Sequence, residues 1–370
     1  MAIRVPTNYL RANLQTVMSG AISRILRVQN DIATGRTVRA ASDDPLAAIE
    51  ILDIRSTMRR NSQYSKNIVD AQENLVATET GVQSSLELLM QIKEIALSAA
   101  NDGTAIDRDS VGAHIDSLLE DLVNLGNLNH RDHYLFGGKN YNTPPLTLQT
   151  SVSSEPFTLG APGDTVDLAN ARIAAGSVIV MNDTGTVTYT EGTDYTVDYA
   201  TGAVTTLGAG AMGAGNYAVT YETETASAID FNADSADFIT RVVGSEYGVE
   251  VNETAHSLFA GGASLEAVID LKNALWKNDS AAVQALLPEL DAAIEGMTER
   301  LGSIGGRVEE LYHRANLIDE MNIRLDELKS NLEDTDLAFA ALQLSTEQAA
   351  YESALSASAR LMTINLTHFL

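Results

Sequence analysis

The sequence predicts a mainly α-helical protein: long coiled-coil-like helices from both termini form a rod that carries a small inserted antiparallel β domain. Three observations lead to this fold class. Apolar residues recur at three- and four-residue spacing near both termini, and a seven-residue repeat runs between residues 68 and 96. Between residues 146 and about 228 this helical period gives way to alternation, with frequent Thr, Val, Tyr and Gly.

The first predicted helix follows Pro6 and ends at about residue 34, because the next residue, Gly35, can adopt the left-handed conformation that closes a helix. Asp44 then marks a new helix start, since its side chain can accept amide hydrogen bonds while Pro45 is tolerated at the first helical position. We therefore expect a connector between two helices. Its candidate residues are Gly35, Ser42, Asp43, Asp44 and Pro45.

The second predicted helix runs from Pro45 to about Ala100. Its heptad positions are Ile68, Leu75, Val82, Leu89 and Ala96. This period is typical of a coiled coil. A further helix is predicted from about Asp107 to Leu128, before the glycines and prolines that end the helical region.

The middle block reads as a small antiparallel sandwich or barrel. Val178–Met181 and Val187–Thr190 are predicted to form a hairpin around the turn Asn182–Gly185. Three more strands are expected at Tyr195–Tyr199, Val204–Leu207 and Tyr217–Tyr221.

Helical sequence returns after residue 262, with one helix that contains Trp276 and a long one from about 281 to 332. Asn322 lies on the apolar stripe of the long helix, where a polar residue can set the register of a helix pair. Glycine weakens an isolated helix by about 1 kcal/mol relative to alanine. We therefore expect Gly302, Gly305 and Gly306 to allow another helix to approach closely.

The stripes at the two ends of the chain match each other, which suggests that the termini pair and carry the assembly surface. The residues that represent this expected interface are Leu14, Met18, Ile25, Val28, Leu337, Leu344, Tyr351, Leu355 and Met362. Glu347 and Glu352 are expected to lie off the stripe.

These patterns predict three parts. Residues 1–40 with 331–370 form a terminal helical domain, 41–145 with 229–330 form a helical rod, and 146–228 form an inserted variable β domain. The arginines of residues 1–60 are either a solvated helix face or ion-pair partners of acidic neighbours.

Composition excludes several functions. A net charge of −26, without a run of basic residues, argues against nucleic acid as a partner. The chain has no cysteine, and no nucleotide-binding, metalloprotease or serine-hydrolase motif is present, so we expect neither enzyme activity nor a cofactor. The spacing of His130, Asp132 and His133 does not suggest a metal site. No membrane insertion and no cleaved signal peptide are expected.

Four segments resemble the bacterial flagellin family. They are DIATGRTVRAASDDPLAAI (31–49), HYLFGGKNYNTPP (133–145), LGSIGGRVEEL (301–311) and the stretch from Glu333 to Leu370. Ala33 and the pair Ala40–Ala41 depart from the family pattern in the connector. The Tyr-Leu-Phe-Gly-Gly segment and the ending LMTINLTHFL resemble the hook-associated group of the family rather than filament flagellins.

The resemblance implies a structural protein of the extracellular bacterial flagellum that joins hook to filament by stacking its terminal helices. It implies export by the flagellar apparatus, an export chaperone at the carboxy-terminal helix, and self-association in a ring or helical assembly beside another hook-associated protein and flagellin. Two alternatives remain open. One is a filament flagellin, and the other is a secreted surface-binding module or adhesin that acts through the middle β domain.

Overall fold

The structure, a computed structural model, describes residues 7–101, 107–232 and 237–367. Long helices near both ends of the chain flank a block of short antiparallel strands, which confirms the predicted fold class. The helices are α1 Thr7–Thr34, α2 Pro45–Ala99, α3 Arg108–Gly126, α4 Ala255–Leu258, α5 Ala263–Trp276, α6 Ser280–Glu333 and α7 Leu337–Thr367. None of these helices is long and apolar enough to cross a membrane.

The described strands are all short, and every pair is antiparallel. They are β1 Asn129–His130, β2 His133–Tyr134, β3 Leu146–Gln149, β4 Ser151–Leu159, β5 Thr165–Asp167, β6 Ile179–Asn182, β7 Tyr195–Asp198, β8 Ala203–Thr206, β9 Gly215–Glu222, β10 Ala228–Phe231, β11 Thr240–Gly244 and β12 Tyr247–Glu250.

The chain divides into two compact units. One comprises residues up to Gln63 together with those from Asn316 onward, and it holds α1, α7 and the adjoining ends of α2 and α6. The other runs from Tyr64 to Ala315 and holds the β block. The three-part division expected from the sequence remains a proposal.

The seven-residue repeat of α2 marks its buried face. Its five heptad residues are fully buried: Ile68, Leu75, Val82, Leu89 and Ala96. Helix α6 buries residues at the same spacing: Val283, Leu290, Met297, Ile304 and Leu311. Asn322, which the sequence singles out as a register position, accepts a hydrogen bond from Nδ2 of Asn61 at 2.9 Å.

Capping side chains explain where several helices begin. Asp44 Oδ1 accepts hydrogen bonds from the amides of Leu46 and Ala47, at 3.0 and 3.1 Å, and so caps α2 as predicted. Asp279 and Asp336 bond in the same way to the first turns of α6 and α7. Gly35, with φ +69°, follows the last residue of α1, which confirms the predicted stop.

The β block contains two three-stranded sheets, in the order β4-β9-β6 and β5-β8-β7. In these sheets, strands β6, β7, β8 and β9 match sequence predictions, whereas β4 and β5 were not predicted. The predicted hairpin is present in part: Met181 bridges Thr188, but residues 187–190 form no strand of their own. Both sheets contribute to one apolar core: Phe157, Leu159, Leu168, Ile173, Val178, Val180, Tyr195, Val204, Met212, Tyr217, Val219 and Tyr221.

Polar contacts join this block to α5 and join α5 to α3. The side chain of Asn273 accepts a hydrogen bond from the amide of Ala171 at 3.1 Å and donates one to Oδ1 of Asn170 at 3.0 Å. The neighbouring Lys272 is fully buried and donates to Asp116 at 2.6 Å. Burial lowers the pKa of Lys272, and the hydrogen bond to Asp116 opposes that shift.

The prediction that the α6 glycines allow close approach of another helix is wrong within this chain. A Cβ atom added at Gly302, Gly305 or Gly306 would meet nothing within 4 Å, so no other part of the described chain approaches them closely. Gly112 in α3 does have such a role, because an added Cβ would lie 2.6 Å from Nε1 of Trp276. In this chain the glycine that permits close packing is therefore Gly112, where the indole of Trp276 lies against α3.

Candidate assembly surface

Helices α1 and α7 pack against each other, as the matching stripes predicted. The α1 face of this pair follows the expected spacing: Leu14, Met18 and Ile25 are half-buried, and Ala21 and Val28 are buried. Helix α7 contributes Ala340, Leu344, Glu347, Tyr351 and Ala354 to its less exposed face. The spacing of four and three residues on both helices is that of a helix pair with one continuous seam.

The residues of α7 that were expected at the interface differ in how far their side chains are buried. Leu344 and Tyr351 are half-buried, whereas Leu337 and Leu355 are 57% and 47% exposed. The side chain of Met362 lies outside the described residues. Leu344 and Tyr351 therefore lie in the seam with α1, whereas Leu337 and Leu355 lie at its exposed edge.

Glu347 lies on the packed face and not off it, so that expectation is wrong. One of its carboxylate oxygens accepts a hydrogen bond from Nε of Arg24 at 2.9 Å, and its side chain is 18% exposed. Glu352 is exposed, as expected. An acidic side chain can lie on the seam because a guanidinium group from α1 compensates its charge.

Large apolar side chains remain exposed on both helices. These residues are distributed around the parts of each helix that the seam leaves open, and together we call them the outer apolar surface: Tyr9, Val17, Ile22 and Leu26 on α1, and Leu337, Phe339, Leu342 and Leu355 on α7. Single exposed apolar residues are common on proteins, but a set of this size on two paired helices is typical of a surface that binds another protein.

A buried carboxylate holds the connector. Glu333, at the end of α6, has a side chain only 2% exposed and accepts a hydrogen bond from Nε of Arg36 at 2.8 Å. It also accepts two bonds from Nη2 of Arg55 at 2.7 and 2.9 Å. We call these three residues the connector clasp. Because a buried carboxylate without partners is costly, the two arginines and Glu333 depend on one another.

Backbone hydrogen bonds reinforce the clasp. The amide of Thr37 donates to the carbonyl of Glu333 at 2.8 Å, and the amide of Thr335 donates to the carbonyl of Gly35 at 2.9 Å. The two segments that enter α2 and leave α6 therefore meet as a short antiparallel bridge. Sequence reasoning missed Glu333, since a single acidic residue beside a helix end gives no periodic signal.

The predicted connector residues lie beside this clasp. Asp43 Oδ2 accepts hydrogen bonds from the amides of Ala40 and Arg39, at 3.1 and 3.2 Å, and these bonds lower the pKa of Asp43. Ser42 and Pro45 are exposed, and Pro45 begins α2. These residues shape the turn that leads into α2, while Glu333 ties that turn to the end of α6.

Among the described residues, no group of three His, Asp or Glu side chains is placed to hold a metal ion. His133 packs edge-on against Tyr141, with ring centroids 4.4 Å apart.

Several arginines near the start of the chain form ion pairs: Arg24 with Glu347, Arg39 with Asp31, and both clasp arginines with Glu333. For these arginines, ion pairing and not a purely solvated face is the correct interpretation.

The amino-terminal half of the helical region matches a known family. Residues 5–140 match the bacterial flagellin N-terminal helical region, and residues 145–244 match a family described only as a protein of unknown function. Flagellar hook-associated protein 3 of Salmonella typhimurium is 24% identical over 151 residues, which cover 40% of this chain and 47% of that protein. The Escherichia coli protein of the same name is 29% identical, over 33% of this chain and 39% of its own length. This chain thus spans under half the length of these two relatives.

Two further matches extend over more of the chain. Flagellin B of Vibrio cholerae is 21% identical over 365 residues, which cover 91% of each chain. A solved structure assigned as a flagellar hook-associated protein of Vibrio parahaemolyticus covers 79% of this chain and 100% of its own, with a TM-score of 0.51 and 19% identity. That structural likeness shows a shared fold. The sequence matches show that residues 5–140 of this chain are related to the bacterial flagellin N-terminal helical region and that the chain is similar to flagellar hook-associated proteins.

Proposed function

We propose that this chain is a non-enzymatic structural subunit of the flagellum that joins hook to filament. The single observation that carries the proposal is the outer apolar surface on a terminal helix pair, in a chain related to hook-associated protein 3. The exposed residues of α1 and α7 would stack against neighbouring subunits. Burial of one such leucine contributes roughly 1.5–3 kcal/mol, so burial of several of them together offsets part of the cost of association.

The proposed partners follow from this role. Copies of this chain self-associate in a ring or helical assembly, with another hook-associated protein on one side and flagellin on the other. Before assembly, an export chaperone covers the exposed face of α7 and the flagellar apparatus exports the chain. The connector clasp keeps α1 and α7 joined to the adjoining ends of α2 and α6, and the β block is a variable domain with its own apolar core.

A filament flagellin is the second candidate, because the match to Flagellin B covers 91% of this chain. Electron microscopy of cells that lack the protein separates the two. Loss of a junction subunit leaves hooks without filaments and releases flagellin into the medium, and restoring the gene restores filaments. Cells that lack the chain but still bear normal filaments would refute the junction role, and a chain that itself forms the filament shaft would establish the second candidate.

A further inference from the structure

A cavity of about 230 Å³ lies beside the connector clasp. The charged groups that line it are three guanidinium groups, from Arg36, Arg39 and Arg55, and one carboxylate, from Glu333. This local excess of positive charge is unusual in a chain with a net charge of −26. The cavity therefore favours an acidic occupant.

The arginines can bind a further carboxylate. Glu333 engages Nε of Arg36 and Nη2 of Arg55, and each guanidinium has five N–H donors. Their side chains are 52% and 40% exposed, so both guanidinium groups remain accessible from solvent. Arg39 binds Asp31 at 2.9 Å and is 31% exposed. A guanidinium group bound to one carboxylate still presents a second edge to another.

Apolar side chains form the rest of the lining. Val38, Ile51 and Leu52 line the cavity, and Leu52 is 60% exposed. One and two turns earlier in α2, Ile49 and Leu46 are 59% and 78% exposed. An occupant that fits this site must present acidic and large apolar side chains close together in sequence.

The start of α7 has this chemistry. Asp334 and Asp336 are exposed, and the exposed apolar residues Leu337, Phe339 and Leu342 follow directly. We propose that the start of α7 in a second copy of this chain docks on the cavity beside the clasp, with its aspartates against the arginines and Phe339 against Leu52. This inference rests on the proposed self-association and names the two surfaces that meet.

The contact joins two different surfaces, and we propose that each copy uses them with two different neighbours, which is a heterologous arrangement. Each bound copy still presents a free cavity and a free α7 start, and repetition of the contact builds a ring or a helical array instead of a closed pair. Charge complementarity selects the register of neighbours, and the apolar residues supply most of the affinity.

Disulfide trapping tests the contact, because the chain has no cysteine of its own. Leu52→Cys and Phe339→Cys are made as separate single variants, expressed together, and oxidised both in flagella and as purified full-length chains. We expect covalent dimers in the mixture and few with either variant alone, since a disulfide requires Cα atoms about 4.4–6.8 Å apart. Ile323→Cys, exposed elsewhere on α6, replaces Leu52→Cys as the control and gives no dimer with Phe339→Cys.

Charge reversal provides an independent measurement. Arg39→Glu on the Leu52→Cys chain should lower the dimer yield about tenfold, as a loss of about 1.4 kcal/mol does to an equilibrium. Asp334→Lys on the Phe339→Cys chain should restore the yield. Arg324→Glu, at an exposed position of α6, should leave it unchanged.

The two proposals can fail separately. Absence of mixed dimers both in flagella and in the purified chains overturns the docking contact, and so does a yield that Arg39→Glu leaves unchanged. If mixed dimers form but cells that lack the chain still attach filaments, the docking contact is supported and the junction role is refuted. Equal dimer yields from a single variant and from the mixture overturn the heterologous arrangement.

Discussion

Glu333 accepts two hydrogen bonds from Nη2 of Arg55, at 2.7 and 2.9 Å, although 278 positions separate them in the sequence. The first turns of α2 and the last turn of α6 therefore share one buried carboxylate, which Arg36 also binds. The turn between α1 and α2 also bonds to the backbone at this same residue, so the ion pair and the backbone hydrogen bonds meet at the connector.

Removal of the Glu333 charge should loosen the connector. Glu333→Gln leaves the two guanidinium groups without their carboxylate and should lower the free energy of unfolding by roughly 1–3 kcal/mol. The loss is smaller than for a fully buried pair because Arg36 and Arg55 are about half exposed. Amide exchange at Thr37 and Thr335 should accelerate. The exposed Glu352→Gln is the control, and equal stability of the two variants would contradict the clasp.

The seam and the exposed edge of α7 should respond differently to the same change. Leu344→Asp places a carboxylate in the α1–α7 seam, so it should separate these helices in the free chain and lower helicity by circular dichroism. Leu355→Asp lies at the exposed edge, so it should leave the free chain unchanged and block incorporation into flagella. Normal filaments with Leu355→Asp would show that the outer apolar surface is not used. Glu352→Gln again serves as control, whereas Glu347→Gln is unsuitable because Glu347 bonds to Arg24.

Two glycine substitutions should act in opposite directions. Gly112→Ala forces a Cβ against the indole of Trp276 and should destabilise the chain by roughly 1–3 kcal/mol. Gly305→Ala meets open space within an α-helix and should stabilise it by up to about 1 kcal/mol. Urea unfolding of the full chain measures both. If Gly305→Ala destabilises the free chain as much as Gly112→Ala does, the packing described around Trp276 is not the cause.

Alkaline pH should reveal the buried phenol of Tyr221. Burial is the main cause of the raised pKa of Tyr221, and its hydrogen bond to Glu155 raises the pKa further. The hydrogen bond from Asn170 lowers the pKa and so opposes both effects. Above about pH 10 the unfolded chain loses this proton and the folded chain keeps it, so stability falls as pH rises. Tyr221→Phe should cost roughly 1–2 kcal/mol at pH 7 through its lost hydrogen bonds. The difference in free energy of unfolding between this variant and the native chain should become smaller between about pH 9 and pH 11. A difference that stays constant over this range would contradict the prediction.

The β block should fold by itself and be dispensable for assembly. It has its own apolar core, and Gln149 of β3 pairs with Ala228 of β10, so a short glycine-rich turn can close the chain after deletion of residues 151–226. We expect the shortened protein to enter flagella. Its melting temperature should fall, because Asn273 and Lys272 lose partners in the block. Export of a folded deletion variant that fails to enter flagella would refute dispensability, and the isolated block can be tested for folding by its strand signal.

Periodicity predicted the elements whose structure depends on neighbours in sequence. The burial of Ile68, Leu75 and Leu89 follows from a seven-residue repeat, since residues at that spacing share one face of any helix. Gly35 and Asp44 were likewise predictable, because helix ends depend on the conformation and hydrogen bonding of one or two local residues.

Only the tertiary structure decided which face of α7 packs on α1 and which residues hold the connector. Alanine occurs on every side of α7, so the sequence does not distinguish a seam through Ala340 and Leu344 from one through Leu337 and Ala341. Packing on α1 selects the first and leaves Leu337 and Leu355 exposed. The same holds for Glu333 with Arg55 and for the β4–β9 pairing: each joins residues distant in sequence, and no local pattern records which distant partner will satisfy a buried charge or a strand edge.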